Sequence, residues 1–253
     1  MKRILIALLL LGLSVSGARS GQWINYTDGS KVEALVEDGQ NLWVATSGGL
    51  VLLNKSTGEM QFFNRGNSGI PGNHIWALAR DKNGNLWVGT LYGGLGKFDG
   101  TSWHVYKEEN SDLPKNDVRD IAIDRNGNAW LATFGGGIAV FSGYSWHVYD
   151  KDHSGLPYDW VHQVEIDGSG NVWLTTGDHK LVKYGGSNWT VYDASNSPLP
   201  DYDSYALAVD SHGNVWIGTW GGGLVKFDGS QWKIFDTRNT PMLSDYISAV
   251  AAD

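Results

Sequence analysis

Apolar and polar positions alternate in short runs along nearly the whole chain, with glycine, aspartate and asparagine between the runs. The segments VRDIAID (Val118–Asp124), AWLAT (129–133), GIAVF (137–141) and SWHVYD (145–150) are representative. Their period of two, their β-branched and aromatic content and the turn residues that bound them predict β-strands. No stretch carries the three-to-four spacing of an amphipathic helix. Turns are equally regular: Asp-x-x-Gly-Asn joins the first strand to the second, Thr-x-Gly-Gly the second to the third, and Asp-Gly or Ser-Gly the third to the fourth.

The runs repeat. Five segments read NLWVATSGGL, NLWVGTLYGGL, NAWLATFGGGI, NVWLTTGDHKL and NVWIGTWGGGL around Trp43, Trp87, Trp130, Trp173 and Trp216, spaced by 44, 43, 43 and 43 residues. A second series reads SWHVY, SWHVY, NWTVY and QWKIF around Trp103, Trp146, Trp189 and Trp232. Four strands in a unit of this length are the mark of a β-propeller blade. Aromatic residues of the second and fourth strands are then expected to fill the space between blades. The expected fold is all-β, with five complete four-stranded blades and parts of a sixth. Trp23-Ile24-Asn25-Tyr26 resembles a lone fourth strand, and Asp245–Ala252 reads as a lone first strand. A first strand left without its partner has an unpaired edge, so the propeller is expected to be incomplete in this chain.

The blocks D-x-x-G-N-x-W-[VIL]-[GA]-T, G-G-[GL], F-D-G-x-x-W and N-S-x-L-P resemble the two-component regulator propeller repeat. Asp81–Thr90, Asp124–Thr133 and Asp210–Thr219 carry it best. The departures are Gly177-Asp178-His179-Lys180, which replaces the glycines, and the shorter Asp38-Gly39-Gln40-Asn41 turn. The resemblance implies the periplasmic sensor part of a bacterial hybrid histidine kinase. There a propeller is followed by an immunoglobulin-like domain, a membrane helix and a kinase, none of which is read in this sequence.

Composition narrows the chemistry. With no cysteine among 253 residues, disulfides, thiolate metal sites and a cysteine nucleophile are excluded. A formal charge of −8 disfavours nucleic acid and anionic membranes as partners. Residues 1–20 read as a signal peptide: Lys2 and Arg3, an apolar run from Ile4 to Val15, then Ser16, Gly17 and Ala18. That run is shorter than the roughly 20 residues a bilayer span needs. Without the leader, residues 21–253 form one propeller domain of about −11, expected in the periplasm or secreted, with no membrane span.

No nucleophile elbow, phosphate loop or zinc-protease motif occurs, so neither enzymatic activity nor a cofactor is expected. Asp81-Lys82-Asn83-Gly84-Asn85 is better read as a tight turn than as a calcium loop, because its glycine comes too early and no glutamate closes it. His104 and His147 fall on outer strands and are expected in solvent. The informative residues are those that break the repeat. Eleven residues before each second-strand tryptophan stand Trp76, Arg119, His162 and Tyr205, with Glu33 in the same place in the first unit. After the second strands come Phe134 and Trp220, with Tyr92, Asp178 and His179 beside the same turn.

First strands begin and second strands end at one rim, since neighbours run antiparallel. Both sets are therefore expected at one mouth of the central channel. Aromatic faces mixed with charge suit a small polar ligand, an oligosaccharide or a peptide. Ordinary loop variation and channel filling is the competing account of the same residues. Asp178, His179 and His162 carry ligating atoms, but no spacing fixes them as a metal site. The leading expectation is an exported ligand-binding sensor module with a downstream signalling domain or partner. A lyase or glycosidase acting in the channel mouth and a protein-interaction scaffold are the alternatives.

Overall fold

The structure is a computed structural model and describes residues 31–252. The leader and the Trp23–Tyr26 segment lie outside the described residues. Every regular element among the described residues is a strand. Blade 1 contains β1 (Val32–Asp38), β2 (Asn41–Thr46), β3 (Gly49–Asn54) and β4 (Met60–Phe63). Blade 2 contains β5 (Ile75–Arg80), β6 (Leu86–Thr90), β7 (Gly94–Phe98) and β8 (Trp103–Tyr106). Blade 3 contains β9 (Val118–Ile123), β10 (Ala129–Thr133), β11 (Gly137–Phe141) and β12 (Trp146–Tyr149). Blade 4 contains β13 (Val161–Ile166), β14 (Val172–Thr176), β15 (Leu181–Tyr184) and β16 (Trp189–Tyr192). Blade 5 contains β17 (Ser204–Val209), β18 (Val215–Thr219), β19 (Leu224–Phe227) and β20 (Trp232–Phe235).

Each blade is an antiparallel meander in sequence order. The first strands β1, β5, β9, β13 and β17 lie against one another in succession, and so form the innermost layer. Four apolar cores fill the spaces between blades. Trp87 of blade 2 meets Phe141 of blade 3 at 5.9 Å, and Trp173 of blade 4 meets Phe227 of blade 5 at 6.1 Å. Trp43 and Phe98 repeat this edge contact one interface earlier. Second-strand tryptophans thus fill the space between blades as expected, with third-strand phenylalanines as their partners.

The aspartate of the Asp-x-x-Gly-Asn turn explains why it recurs with the tryptophan. One oxygen of Asp167 accepts the backbone N–H groups of Ser169 and Asn171, while the other accepts the Asn171 amide at 2.7 Å and the Trp173 indole N–H at 3.0 Å. Asp81, Asp124 and Asp210 repeat the arrangement. Gly84, Gly127, Gly170 and Gly213 supply the positive φ that the turn requires. The carboxylate thus closes the turn and orients the ring for packing.

The C-terminal segment differs from expectation. Residues 245–252 form no strand; they make an isolated bridge, Trp220 to Tyr246, and Ile247 donates its N–H to Thr219 O at 2.9 Å. This segment sits against β18 where a sixth first strand would start, but among the described residues no second strand pairs with it. Strand geometry needs that ladder. At the opposite end of the array, Leu35 on β1 is 43% exposed, whereas its counterparts Ile121, Val164 and Leu207 are buried. No helix among the described residues is long and apolar enough to cross a membrane.

Candidate functional site

One backbone irregularity builds the site. The register of the first against the second strand slips between Val32 and Ala34, Ile75 and Ala77, Val118 and Asp120, Val161 and Gln163, and Ser204 and Ala206. The residues passed over are Glu33, Trp76, Arg119, His162 and Tyr205. A β-bulge leaves its extra residue unpaired and re-aims its side chain. These five positions therefore change freely from blade to blade while their neighbours keep packing. All five stand at the same end of the innermost strands, opposite the threonines that end the second strands.

The bulged residues meet across blade boundaries. Glu33 pairs with Lys31 at 2.9 Å and lies 3.5 Å from His74 Nε2. His74 packs on Trp76 with ring centres 4.3 Å apart. Arg119 from blade 3 then lies over Trp76 at 4.5 Å and over Phe134 at 4.6 Å, so its guanidinium is held between two aromatic rings. Asp117 accepts a hydrogen bond from Arg119 Nη2 at 2.8 Å, and Phe134 stacks on Trp160 of the next blade at 4.5 Å.

The second half of the rim is more acidic. His162 stacks on Tyr205 at 5.0 Å with the rings nearly parallel, and Tyr205 meets Trp220 edge-on at 5.1 Å. The Tyr205 hydroxyl donates to Asp203 at 3.2 Å. His179, in the loop after β14, bridges Asp201 at 2.8 Å and Asp203 at 3.1 Å. Burial holds the His162 imidazole below its ordinary value, with Arg119 and His179 acting in the same direction against a backbone bond to Ser204 and the charge of Asp203. It is therefore neutral near pH 7.

Several polar atoms here are buried without a hydrogen-bond partner: Trp76 Nε1, Arg119 Nε, His162 Nδ1 and Asp117 Oδ1. Such groups cost stability unless something satisfies them. No set of three or more ligating side chains among the described residues is arranged for a metal ion.

Of the residues singled out in the sequence, Glu33, Trp76, Arg119 and Phe134 join one chain of contacts, and His162, Tyr205 and Trp220 a second beside it. His179 reaches the second through Asp203. Asp178 turns into its own loop, accepting from Thr176 at 2.6 Å and pairing with Lys180 at 2.7 Å. Tyr92 stands apart, 76% exposed, with a left-handed backbone (φ 61°) where blades 3 and 5 have Gly135 and Gly221. The sequence reading missed Lys31, His74, Asp117 and Asp203, which, together with Trp160, a tryptophan outside both repeating series, occupy one equivalent position two residues before each bulge. In every blade this residue's carbonyl accepts the N–H of the residue after the second-strand threonine. A partial signal was present, since this position also varies among the repeats, although Asp117 and Asp203 share one residue type.

A second missed set lies on the innermost strands. Ala77 and Ala79, and Ala206 and Ala208, occupy two recurring positions, which Asp120, Gln163 and Glu165 break. Asp120 accepts the backbone N–H of Val164, on the next blade, at 2.9 Å.

Fold and repeat together define a β-propeller. Residues 69–92, 112–135 and 198–221 match the two-component regulator propeller family, each match running from the loop before a first strand to the turn after the second. These three segments match the repeat of that family. The fold is similar to the extracellular domain of a hybrid two-component system from B. thetaiotaomicron, at 24% identity and a TM-score of 0.69, over 79% of this chain and 28% of that one. It is also similar to PorZ, a surface component of the type-IX secretion system of Porphyromonas gingivalis, at 18% identity and 0.71, over 92% of this chain and 37% of that one. A catalytically inactive virginiamycin B lyase from Staphylococcus aureus, solved with quinupristin, matches at 15% identity and 0.71, over 91% of this chain and 78% of that one. The chain thus spans about a third of the length of the first two structures. No match to a curated protein was found.

Proposed function

We propose that this protein is an exported ligand-binding module of the two-component regulator propeller type, which takes a small polar ligand, an oligosaccharide or a peptide, at the mouth where its five bulges gather. The observation that carries the reading is the bulge itself: one irregularity, repeated in five blades, presents a different side chain each time. An asymmetric ligand requires such differences, whereas packing in a near-symmetric ring favours sameness. Exposed Trp160 and Trp220 offer faces for stacking, and Arg119 and Asp203 offer hydrogen bonds. The family match supports a sensory role, carried out with a downstream domain or partner that converts binding into a signal.

The test is a calorimetric screen of neutral and acidic oligosaccharides and short peptides against the wild-type protein, Arg119→Ala and Trp220→Ala. Binding that weakens in both variants supports the reading. Affinities unchanged in both reject it. Turnover of a bound compound would instead favour a propeller enzyme.

A further inference from the structure

Resting on the rim reading above, we infer that the ligand is a peptide with an arginine side chain, whose guanidinium lies on Trp220 beside Asp203 and Asp201. Blade 3 shows how this mouth holds such a group. The Asp117 carbonyl accepts the N–H of Phe134, which sets carboxylate and ring at one end of the blade, and an isolated bridge brings Trp160 of the next blade beside Phe134. Arg119, the bulged residue, donates from Nη2 to Asp117 at 2.8 Å and lies over Phe134 at 4.6 Å. The preceding bulged residue, Trp76, packs against the guanidinium at 4.5 Å.

Blade 5 repeats this arrangement with one part changed. The Asp203 carbonyl accepts the N–H of Trp220, and an isolated bridge joins Trp220 to Tyr246. Only blades 3 and 5 combine an aspartate before the bulge with an aromatic residue after the second strand. The bulged residue in blade 5 is Tyr205. Its ring stacks on His162 as Arg119 does on Trp76, and its hydroxyl takes the place of the guanidinium on the carboxylate, at 3.2 Å. A hydroxyl supplies a hydrogen bond but no charge.

The changed part leaves the site open. Asp117 is sealed under its own arginine, with its side chain 6% exposed, whereas Asp203 is 38% and Asp201 77% exposed. Phe134 and Trp160 stack on one another, but Trp220 and Tyr246 stand at 86°, and Trp220 keeps 57% of its surface exposed. Aromatic faces beside carboxylates are how proteins hold organic cations.

Charge points the same way. Arg119 balances Asp117, and Lys180 pairs with Asp178. Among the described residues, Asp201 and Asp203 share one basic partner, the imidazole of His179. An ionised carboxylate offers about four acceptor positions, so both keep room for a further donor. A neutral sugar would leave their charge unbalanced. A guanidinium balances it, presents a planar fork of donors and stacks on a ring; an ammonium brings the charge without the plane.

Three blocked heptapeptides of glycine and serine test this, differing only at a central arginine, citrulline or lysine. Citrulline keeps the shape of the arginine side chain without its charge. Affinity is read by calorimetry, and the place of binding by the shift of the Trp220 indole N–H resonance, assigned by its loss in Trp220→Phe. The arginine peptide is expected to bind wild-type protein at least about tenfold tighter than the citrulline peptide, the worth of one good charge-assisted contact, with lysine between them. Replacing both carboxylates, Asp201→Asn with Asp203→Asn, should bring arginine and citrulline within about twofold of each other. Trp220→Ala should weaken the arginine peptide by about two- to fivefold. Equal binding of the arginine and citrulline peptides, a preference that survives the double substitution, a lysine peptide as tight as the arginine one, or no binding of any peptide each overturns the inference. The rim reading falls only if the wider screen also shows no dependence on Arg119 or Trp220.

Discussion

Arg119 and Trp76 belong to neighbouring blades, and the guanidinium carbon of one stands 4.5 Å from the ring centre of the other. Neither lies in the regular ladder of its own sheet; each is the residue its strand passes over. The contact that joins two blades at the rim is therefore made by the residues the sheets leave free. The regular ladder positions of the same strands fill the cores between blades, and Trp76 also packs against the edge of one of them.

That separation predicts unequal tolerance among the tryptophans. Trp87 is 2% exposed and Trp220 57%. Trp87→Ala should lower unfolding free energy by about 3–5 kcal/mol, because it empties part of the core between blades 2 and 3. Trp220→Ala should cost under about 1 kcal/mol, as exposed substitutions away from packing do. Urea denaturation of both variants decides this, and equal losses would mean that the rim tryptophans carry structural load.

Asp167 is expected to matter through Trp173 and Asn171 more than through its charge. Burial works to raise its pKa, but hydrogen bonds from both side chains and from the backbone outweigh this and hold it below the ordinary value. Asp167→Ala leaves the buried Trp173 indole N–H unpaired, a loss of about 1–3 kcal/mol. Asp167→Asn, which keeps an acceptor oxygen, should recover part of it. Thermal midpoints of the two variants measure the difference; identical midpoints would reduce the aspartate to a turn former.

Glycines after the second strands should be less replaceable than those of outer turns. A methyl group at Gly137 (φ 71°) would strike the carbonyl oxygen of Tyr149, while one at Gly143 (φ 93°) would meet open space. Gly143→Ala carries only the backbone penalty of about 1–2 kcal/mol. Gly137→Ala should add about 1–3 kcal/mol for the clash. Chemical denaturation ranks the two, and a reversed order would contradict the turn geometry.

The blades were readable because their aromatic residues repeat at one spacing and their turns at another. Even the Asp–Trp hydrogen bond is implied by two residue types that recur together. The rim was half readable. Internal comparison finds Glu33, Trp76, Arg119, His162 and Tyr205, but a bulge exists only in the pairing of two strands, so the physical cause of their variability is not in the sequence. Lys31, His74, Asp117 and Asp203 were passed over because they precede the strands and look like ordinary loop. The 245–252 segment has the composition of a strand but not the neighbour that would make it one.

The last prediction follows from Asp120 and Glu165, two carboxyl groups on adjacent innermost strands, set deep in the ring but with part of their surface still open. Burial pushes Asp120 up to about 6, although the backbone N–H groups of Val164 and Ile121 pull the other way. Burial and then the charge of Asp120 push Glu165 up to about 7. Both values lie above those of an unfolded chain, so the folded protein keeps protons that the unfolded chain releases. The stability these two groups contribute is full below about pH 4 and is lost as pH rises through about 6 and 7. Asp81 and Asp167, held below their ordinary values, act oppositely and lose their contribution only as pH falls below about 4. Glu165→Gln should therefore raise the urea midpoint at about pH 8, where the native glutamate is ionised beside Asp120, and leave it nearly unchanged at about pH 4.5. Midpoints that run parallel to the wild type across this range would show that the two carboxyl groups titrate as they do in water.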